Sequence, residues 1–368
     1  MPSTAPPTTD QLDRLLDLIR PEVRAQHAYR VATQVDRAAK LDQNESPYDL
    51  PPKMKRAAVE HFLAQDWNRY PQDRPHELVA ALAAHLDWPA EGIVVGRGSN
   101  ELTHTLALAL ISAGTPVVLP HPMFALYESV VKVHGGEVVP VDPNADFSHS
   151  ADAIIATMEA SQAPLAVVCS PNNPTGYAFP FEELERMAQA APGFLLIDEA
   201  YVEFVEGPNA GELLRRYPNV IVMRTFSKAM GLAGLRLGYL MAHPDVAAEL
   251  EKPRLPFLVD RLSEAVGLTM LEHQDLVRER VAVMTAERAK LLAAVAKIDG
   301  VETVPSSANF FIMRTPLAPA ALLAALLREG ARIRNVSGYP ALAGWVRVSV
   351  GLPAENRAFL DALNEVLA

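Results

Sequence analysis

Seven short apolar runs lie between residues 93 and 241: Ile93–Val95, Val117–Leu119, Val138–Val141, Leu165–Cys169, Phe194–Ile197, Val220–Met223 and Leu237–Met241. They are rich in Val, Ile and Leu, and apolar side chains are not interleaved with polar ones. A strand with that pattern needs both of its faces covered. Helical stretches separate most of the runs, at Glu101–Ile111, Phe124–Val133, Ala151–Ala160, Phe181–Ala190 and Gly211–Tyr217. This alternation predicts an α/β architecture, with a mostly parallel central sheet flanked by helices.

On either side the pattern changes. Residues 1–7, rich in Pro, Ser and Thr, are expected to form a mobile tail. A helix is expected from near Thr9 to just before Pro21, a loop over 41–52, and a helix opened by Pro75 that runs to Leu86. Beyond Pro256 a long helical region covers about 261–298. Short strands follow at Phe310–Met313, Arg332–Asn335 and Val346–Val350, with helices at Pro319–Glu329 and Pro353–Leu367. Strands 331–335 and 345–350 are expected to pair around the turn 338–344. This C-terminal part reads as a smaller α+β domain. With 368 residues, 49% of them apolar, the chain has enough material for two cores.

The formal charge is −11, which argues against nucleic acid or a membrane surface as a partner. The single cysteine, Cys169, allows no intrachain disulfide and reads as a buried small hydrophobe. No apolar run reaches the ~18 residues of a membrane span, and the N-terminus lacks a secretory pattern, so a cytoplasmic location is expected.

The chemistry concentrates at the ends of the strands. Thr225-Phe226-Ser227-Lys228 is followed by Gly234-Leu235-Arg236-Leu237-Gly238, which sets an amine, two hydroxyls and a guanidinium close together. An amine can capture an aldehyde, and hydroxyls with a guanidinium can hold a phosphate. Pyridoxal 5′-phosphate carries both groups. The plain alternative is a surface lysine beside a structural arginine. Asp198, at the exit of an apolar strand, can keep a pyridine nitrogen protonated, and Tyr201 lies within reach of the same ring. A magnesium-binding acid or a helix cap would also explain an acid there, although no P-loop is present.

Asn173, in Ser170-Pro171-Asn172-Asn173-Pro174, follows a strand where α/β sheets place ligand groups, or forms an ordinary Asn-Pro turn. Gly96-Arg97-Gly98-Ser99-Asn100 turns a strand into a helix start suited to phosphate, with Ser99 also a plausible cap. Phe124 can lie flat on a cofactor ring or pack in the core. Arg347 and Arg334, on neighbouring strands, can bind an anionic substrate group or stand as exposed strand arginines.

Taken in order, these features resemble the fold type I pyridoxal-phosphate enzymes of aminotransferase class I/II, over nearly the whole chain. Within that group the chain is most similar to the histidinol-phosphate aminotransferases. The stretches that carry this likeness are Lys40–Pro47, Arg69-Tyr70-Pro71, Asp198–Phe204, Arg224–Arg236, Arg254–Phe257 and Ser307–Phe311. The resemblance implies that Lys228 links covalently to the cofactor and that Asp198 pairs with the ring nitrogen. It gives the phenolic oxygen to Asn173 and Tyr201, and the stacking position to Phe124, where many relatives have tyrosine. Ser99, Asn100, Thr225, Ser227 and Arg236 would bind the phosphate, with Tyr70 contributed by the other subunit of a homodimer. Arg347, Arg334, Asn44 and Tyr29 would contact the substrate.

The division implied is an N-terminal arm with part of the small domain (1–50), a large cofactor domain (51–258) and a C-terminal small domain (259–368). The expected substrates are histidinol phosphate and glutamate or 2-oxoglutarate. Two stretches depart from many relatives: Ser99-Asn100 replaces Ala-Asp, and Leu258 replaces a polar Asn. An aminotransferase for aromatic or other amino acids, or a decarboxylase of the threonine-phosphate kind, would use the same cofactor residues. A pyridoxal-sensing transcription regulator would need a basic winged-helix domain, which the first 40 or so residues do not resemble.

Overall fold

The computed structural model describes residues 9–26, 28 and 39–368. Among these residues eight strands precede residue 242: β1 (Ala39–Lys40), β2 (Ile93–Gly96), β3 (Pro116–Pro120), β4 (Glu137–Val141), β5 (Leu165–Cys169), β6 (Phe194–Asp198), β7 (Val220–Thr225) and β8 (Gly238–Met241). The last seven form one sheet in the order β2-β8-β7-β6-β5-β3-β4. Strand β8 runs antiparallel to both neighbours, and all other pairings in the sheet are parallel.

Successive residues of each strand enter different cores, which is why the runs are apolar throughout. Val94, Leu196, Ile221 and Leu240 pack with Leu102 and Leu106 of helix 99–110, Val130 of helix 125–133 and Leu250 of helix 244–251. Ile93, Leu195, Val220 and Met241 face the other way. They belong with Leu78 and Leu82 of helix 76–86, Ile154 of helix 151–161 and Met187 of helix 181–190. Each fully buried aliphatic side chain contributes roughly 1.5–3 kcal/mol.

The C-terminal part adds β9 (Glu302–Thr303), β10 (Phe310–Arg314), β11 (Ala331–Arg332), β12 (Arg334–Asn335) and β13 (Trp345–Ser349). A four-stranded antiparallel sheet has the order β12-β13-β10-β9. Strand β1 pairs in parallel with β11, so the N-terminal segment is fastened to the C-terminal part.

The predicted run 331–335 is therefore divided. Its first half pairs with β1, and only Arg334–Asn335 pairs with β13, as the sequence led us to expect. The predicted helix 211–217 is a 3₁₀ turn over Ala210–Arg215. It lies between Pro208 and Pro218, and a proline disfavours α geometry in the residue before it. The single helical region expected over 261–298 is two helices, Arg261–Leu271 and Gln274–Val295. The break lets the first pack on helices 52–63 and 76–86 while the second packs on helix 353–367. The helix expected from Thr9 toward Pro21 covers Thr9–Leu16. Helix 52–63, opened by proline, was not foreseen.

Candidate active site

The parallel directions bring the carboxyl ends of β2, β3, β5, β6 and β7 to one edge of the sheet, where β8 begins. Open α/β sheets bind ligands at that edge. The loops leaving it carry Gly98–Asn100, Phe124, Asn173, Asp198–Tyr201 and Thr225–Lys228, with Arg236 just before β8. From the other side comes the segment after β1. It lies across the edge, because the Lys228 ammonium donates to the Gln43 carbonyl at 3.0 Å and Asn44 Nδ2 donates to the Tyr201 hydroxyl at 3.0 Å.

Asp198 is buried, and both of its oxygens are engaged. The Ala200 N–H donates to Oδ1 at 3.0 Å, and the Tyr127 hydroxyl donates to Oδ2 at 2.7 Å. Asn44 holds a left-handed backbone (φ 53°), which asparagine tolerates better than most residues. Its N–H donates to Ser349 Oγ at 2.8 Å, Ser349 returns a bond to Asn44 Oδ1 at 3.0 Å, and Asn309 Nδ2 donates to its carbonyl at 3.1 Å. Arg347 is buried on β13. It donates through Nη1 to Asn173 Oδ1 and through Nη2 to the Asp42 carbonyl at 2.9 Å, and its guanidinium lies 5.3 Å from the Phe310 ring centre.

A separate cluster suits an anion. Arg236 Nη1 donates to Ser227 Oγ at 3.4 Å and to the Ala233 carbonyl at 3.0 Å. The Ser227 N–H donates to Thr225 Oγ1 at 3.1 Å. Gly98 precedes helix 99–110 with φ +79°, and a Cβ there would sit 2.7 Å from Arg236 Nη2. Only glycine lets this helix start, with its partial positive charge and open N–H groups, approach the guanidinium so closely.

Burial sets the protonation of the site. It lowers Lys228 from 10.5 to about 7, with help from Arg347, Arg236 and Lys40 and against the pull of Glu45. It raises Asp198 from 3.8 to about 6, with the hydrogen bond from Tyr127 the leading influence in the other direction. The Tyr201 phenol goes up to about 12 for the same reason. An amine that loses its proton near neutrality, a buried carboxylate and a cationic cradle of hydroxyls form a donor set that fits an aldehyde-bearing, phosphorylated pyridine.

Residues 37–363 match the family model for aminotransferase class I and II. The chain belongs to that family. Its similarity to curated aminotransferases is long and even. It is 40% identical to the histidinol-phosphate aminotransferase of Chlorobaculum parvum, over 94% of this chain and 97% of that one. It is 38% identical to the enzyme of that name from Chlorobium phaeovibrioides, over 95% and 97%. The solved histidinol-phosphate aminotransferase of Sinorhizobium meliloti, in complex with pyridoxal 5′-phosphate, superposes with a TM-score of 0.82 at 28% identity, over 94% of this chain and 96% of that one.

The aminotransferase fold gathers most of the residues singled out from the sequence. Lys228, Asp198, Tyr201, Asn44, Asn173 and Arg347 form one connected group, and Thr225, Ser227, Arg236 and the start of the Ser99 helix form the adjoining cradle. Phe124 opens helix 125–133, and its ring meets Tyr127 edge-on at 6.4 Å. Arg334 stands opposite Arg347 in register. Asn100 is exposed on the first turn of its helix. Tyr70 is 78% exposed and stacks on Phe257 at 4.7 Å. Tyr29 lies outside the described residues.

Sequence reasoning missed Tyr127, Ser349 and Asn309. Two of these left a signal: Tyr127 is three residues from Phe124 on a helix, and Ser349 is two from Arg347 on a strand, so each shares a face with a residue already chosen.

Proposed function

We propose that the protein is a histidinol-phosphate:2-oxoglutarate aminotransferase of histidine biosynthesis, a cytoplasmic homodimer with shared sites. The observation that carries the reading is Arg347, fixed by Asn173 and the Asp42 carbonyl and electrostatically close to Lys228. A guanidinium there, joined by Arg334, can hold the anionic end of either substrate while its amino-bearing carbon meets the lysine. Histidinol phosphate offers a phosphate and glutamate a carboxylate, and one arginine fork accepts both. The names of the relatives support the phosphorylated donor.

When bound, pyridoxal 5′-phosphate supplies an aldehyde to capture the amino group and a protonated ring to withdraw its electrons. Lys228 would hold that aldehyde and then move the proton at the substrate Cα, a task suited to an amine with a value of about 7. Asp198 would face the ring nitrogen, while Asn173 and Tyr201 would orient the phenolic oxygen and Phe124 would cover the ring. Ser99, Asn100, Thr225, Ser227 and Arg236 would bind the phosphate, with Tyr70 reaching it from the partner subunit. Asn44 would line the substrate pocket, with Tyr29.

We take residues 51–258 as the cofactor domain, 259–368 as the small domain, and 1–50 as an arm that also joins the small domain. The β1–β11 pairing supports that last assignment. Among the described residues no helix is long and apolar enough to cross a membrane.

The test is a donor panel. Histidinol phosphate should convert the bound cofactor to its amino form, and 2-oxoglutarate should restore it with release of glutamate. Faster conversion by phenylalanine or tyrosine, or release of carbon dioxide from a phosphorylated amino acid, would overturn the reading.

A further inference from the structure

We propose that Tyr127 is a positioning residue for the cofactor's ring nitrogen. It acts through Asp198, clamping one carboxylate oxygen so that the group stays ionised and aimed at the ring. The proposal rests on the cofactor assignment above but not on the identity of the amino donor.

The geometry is specific. Tyr127 is 3% exposed, and its hydroxyl meets Asp198 Oδ2 at 2.7 Å, while the Ala200 N–H takes Oδ1 at 3.0 Å. A carboxylate has about four acceptor positions, so two fixed donors leave room for a third partner and set the direction it must come from. Tyr127 sits on the first turn of helix 125–133, with its N–H on the Phe124 carbonyl at 3.1 Å and its ring edge-on to Phe124. One helix start thus presents both the proposed ring cover and the clamp on the ring's acid.

The groups around Asp198 explain why a neutral donor is needed. Cys169 lies beside it on β5, Glu199 follows it just past the end of β6, Tyr201 is three residues on, and Lys228 faces it from the loop after β7. Cys169 and Tyr201 are buried and held protonated, while Glu199 disfavours a second negative charge. Lys228, the facing cation, is itself losing its proton near neutrality. The Tyr127 hydroxyl, pushed well above its ordinary range by burial and by Asp198, remains a donor at every working pH.

The test uses apoprotein carrying isotope-labelled aspartate, with the Asp198 carboxyl followed by infrared titration and pyridoxal-phosphate binding followed by absorbance across the same pH range. Tyr127→Phe keeps the ring and removes the hydroxyl. It should raise the Asp198 midpoint by about one pH unit, and the pH below which cofactor affinity falls should rise with it, a roughly tenfold loss of affinity inside that window. Met223→Leu alters the packing around the same hydroxyl, whose oxygen lies 3.8 Å from the sulfur, and should leave the midpoint in place. If Tyr127→Phe fails to fold, 3-fluorotyrosine at position 127, a more acidic phenol of nearly the same size, should move the midpoint down. A midpoint unmoved by either change, or moved equally by Met223→Leu, would overturn the proposal. Neither measurement involves an amino donor, so its failure is distinct from failure of the substrate reading.

Discussion

At the scale of single residues, the site holds two groups whose proton affinities burial has moved far from their values in water. Burial pushes the Asp198 carboxyl up to about 6 in the fold from its ordinary value of 3.8. Below the lower value both states are protonated and folding loses nothing. As pH rises through the window the unfolded chain ionises first, so stability falls, and the deficit is complete above about pH 6. Lys228, lowered from 10.5 to about 7, works in the other direction: its deficit grows as pH falls through that window and is complete below about 7. Apoprotein carrying Asp198→Asn should therefore melt above the wild type at about pH 8, with the gap closing toward about pH 4, as thermal unfolding of both apoproteins will show. Cofactor binding should be weaker in the same variant. Lys228→Ala should remove the absorbance band of the lysine-linked cofactor and lower turnover by at least the ~10²–10⁴-fold that a positioned acid–base group supplies.

At the scale of elements, the ends of β6 and β7 are tied together beneath the site. Arg224, next to Thr225, donates from Nε (2.9 Å) and Nη2 (2.7 Å) to Glu199 Oε2, next to Asp198, and Nη2 also donates to Asn209 Oδ1 at 2.6 Å. The Ala210 N–H takes the other Glu199 oxygen at 2.7 Å. Arg224→Met would strand a buried carboxylate beside Asp198. It should cost about 3–5 kcal/mol in denaturant unfolding, and the double change with Glu199→Met should recover much of that loss.

The sequence made the strands and their terminal motifs legible because a doubly covered strand is apolar throughout and ligand groups sit at its carboxyl end. The Asn44–Ser349 exchange was not legible, since its partners are 305 residues apart and only the fold joins them. The same holds for Arg332 and Arg334, two residues apart in one apparent strand. One pairs beside Lys40 and bonds Asp42 at 2.8 Å, while the other stands opposite Arg347.

At the scale of the whole molecule, Val59, Leu63, Trp67, Tyr70, Leu255 and Phe257 are all exposed apolar or aromatic side chains. Tyr70 and Phe257 are neighbours, their rings stacked at 4.7 Å, and Arg261 donates to the Tyr70 carbonyl at 2.9 Å. An apolar surface of this kind is expected to be covered by a partner. Under the proposed homodimer, Lys228→Ala chains mixed with Tyr70→Ala chains should recover activity that neither has alone, because a hybrid keeps one intact site. Mixtures that stay inactive under conditions of subunit exchange would argue against sharing.

The fastening of β1 to β11, and of Asn44 to Ser349, also bears on how the protein is made. A ribosome delivers the Asn44 side of the pocket long before the opposite wall that carries Ser349. At roughly 5–20 residues per second, about 15–60 s separate the two partners, which are 305 residues apart. Through that interval the nascent chain can build its central sheet, but the catalytic pocket closes only once the segment carrying Ser349 has emerged.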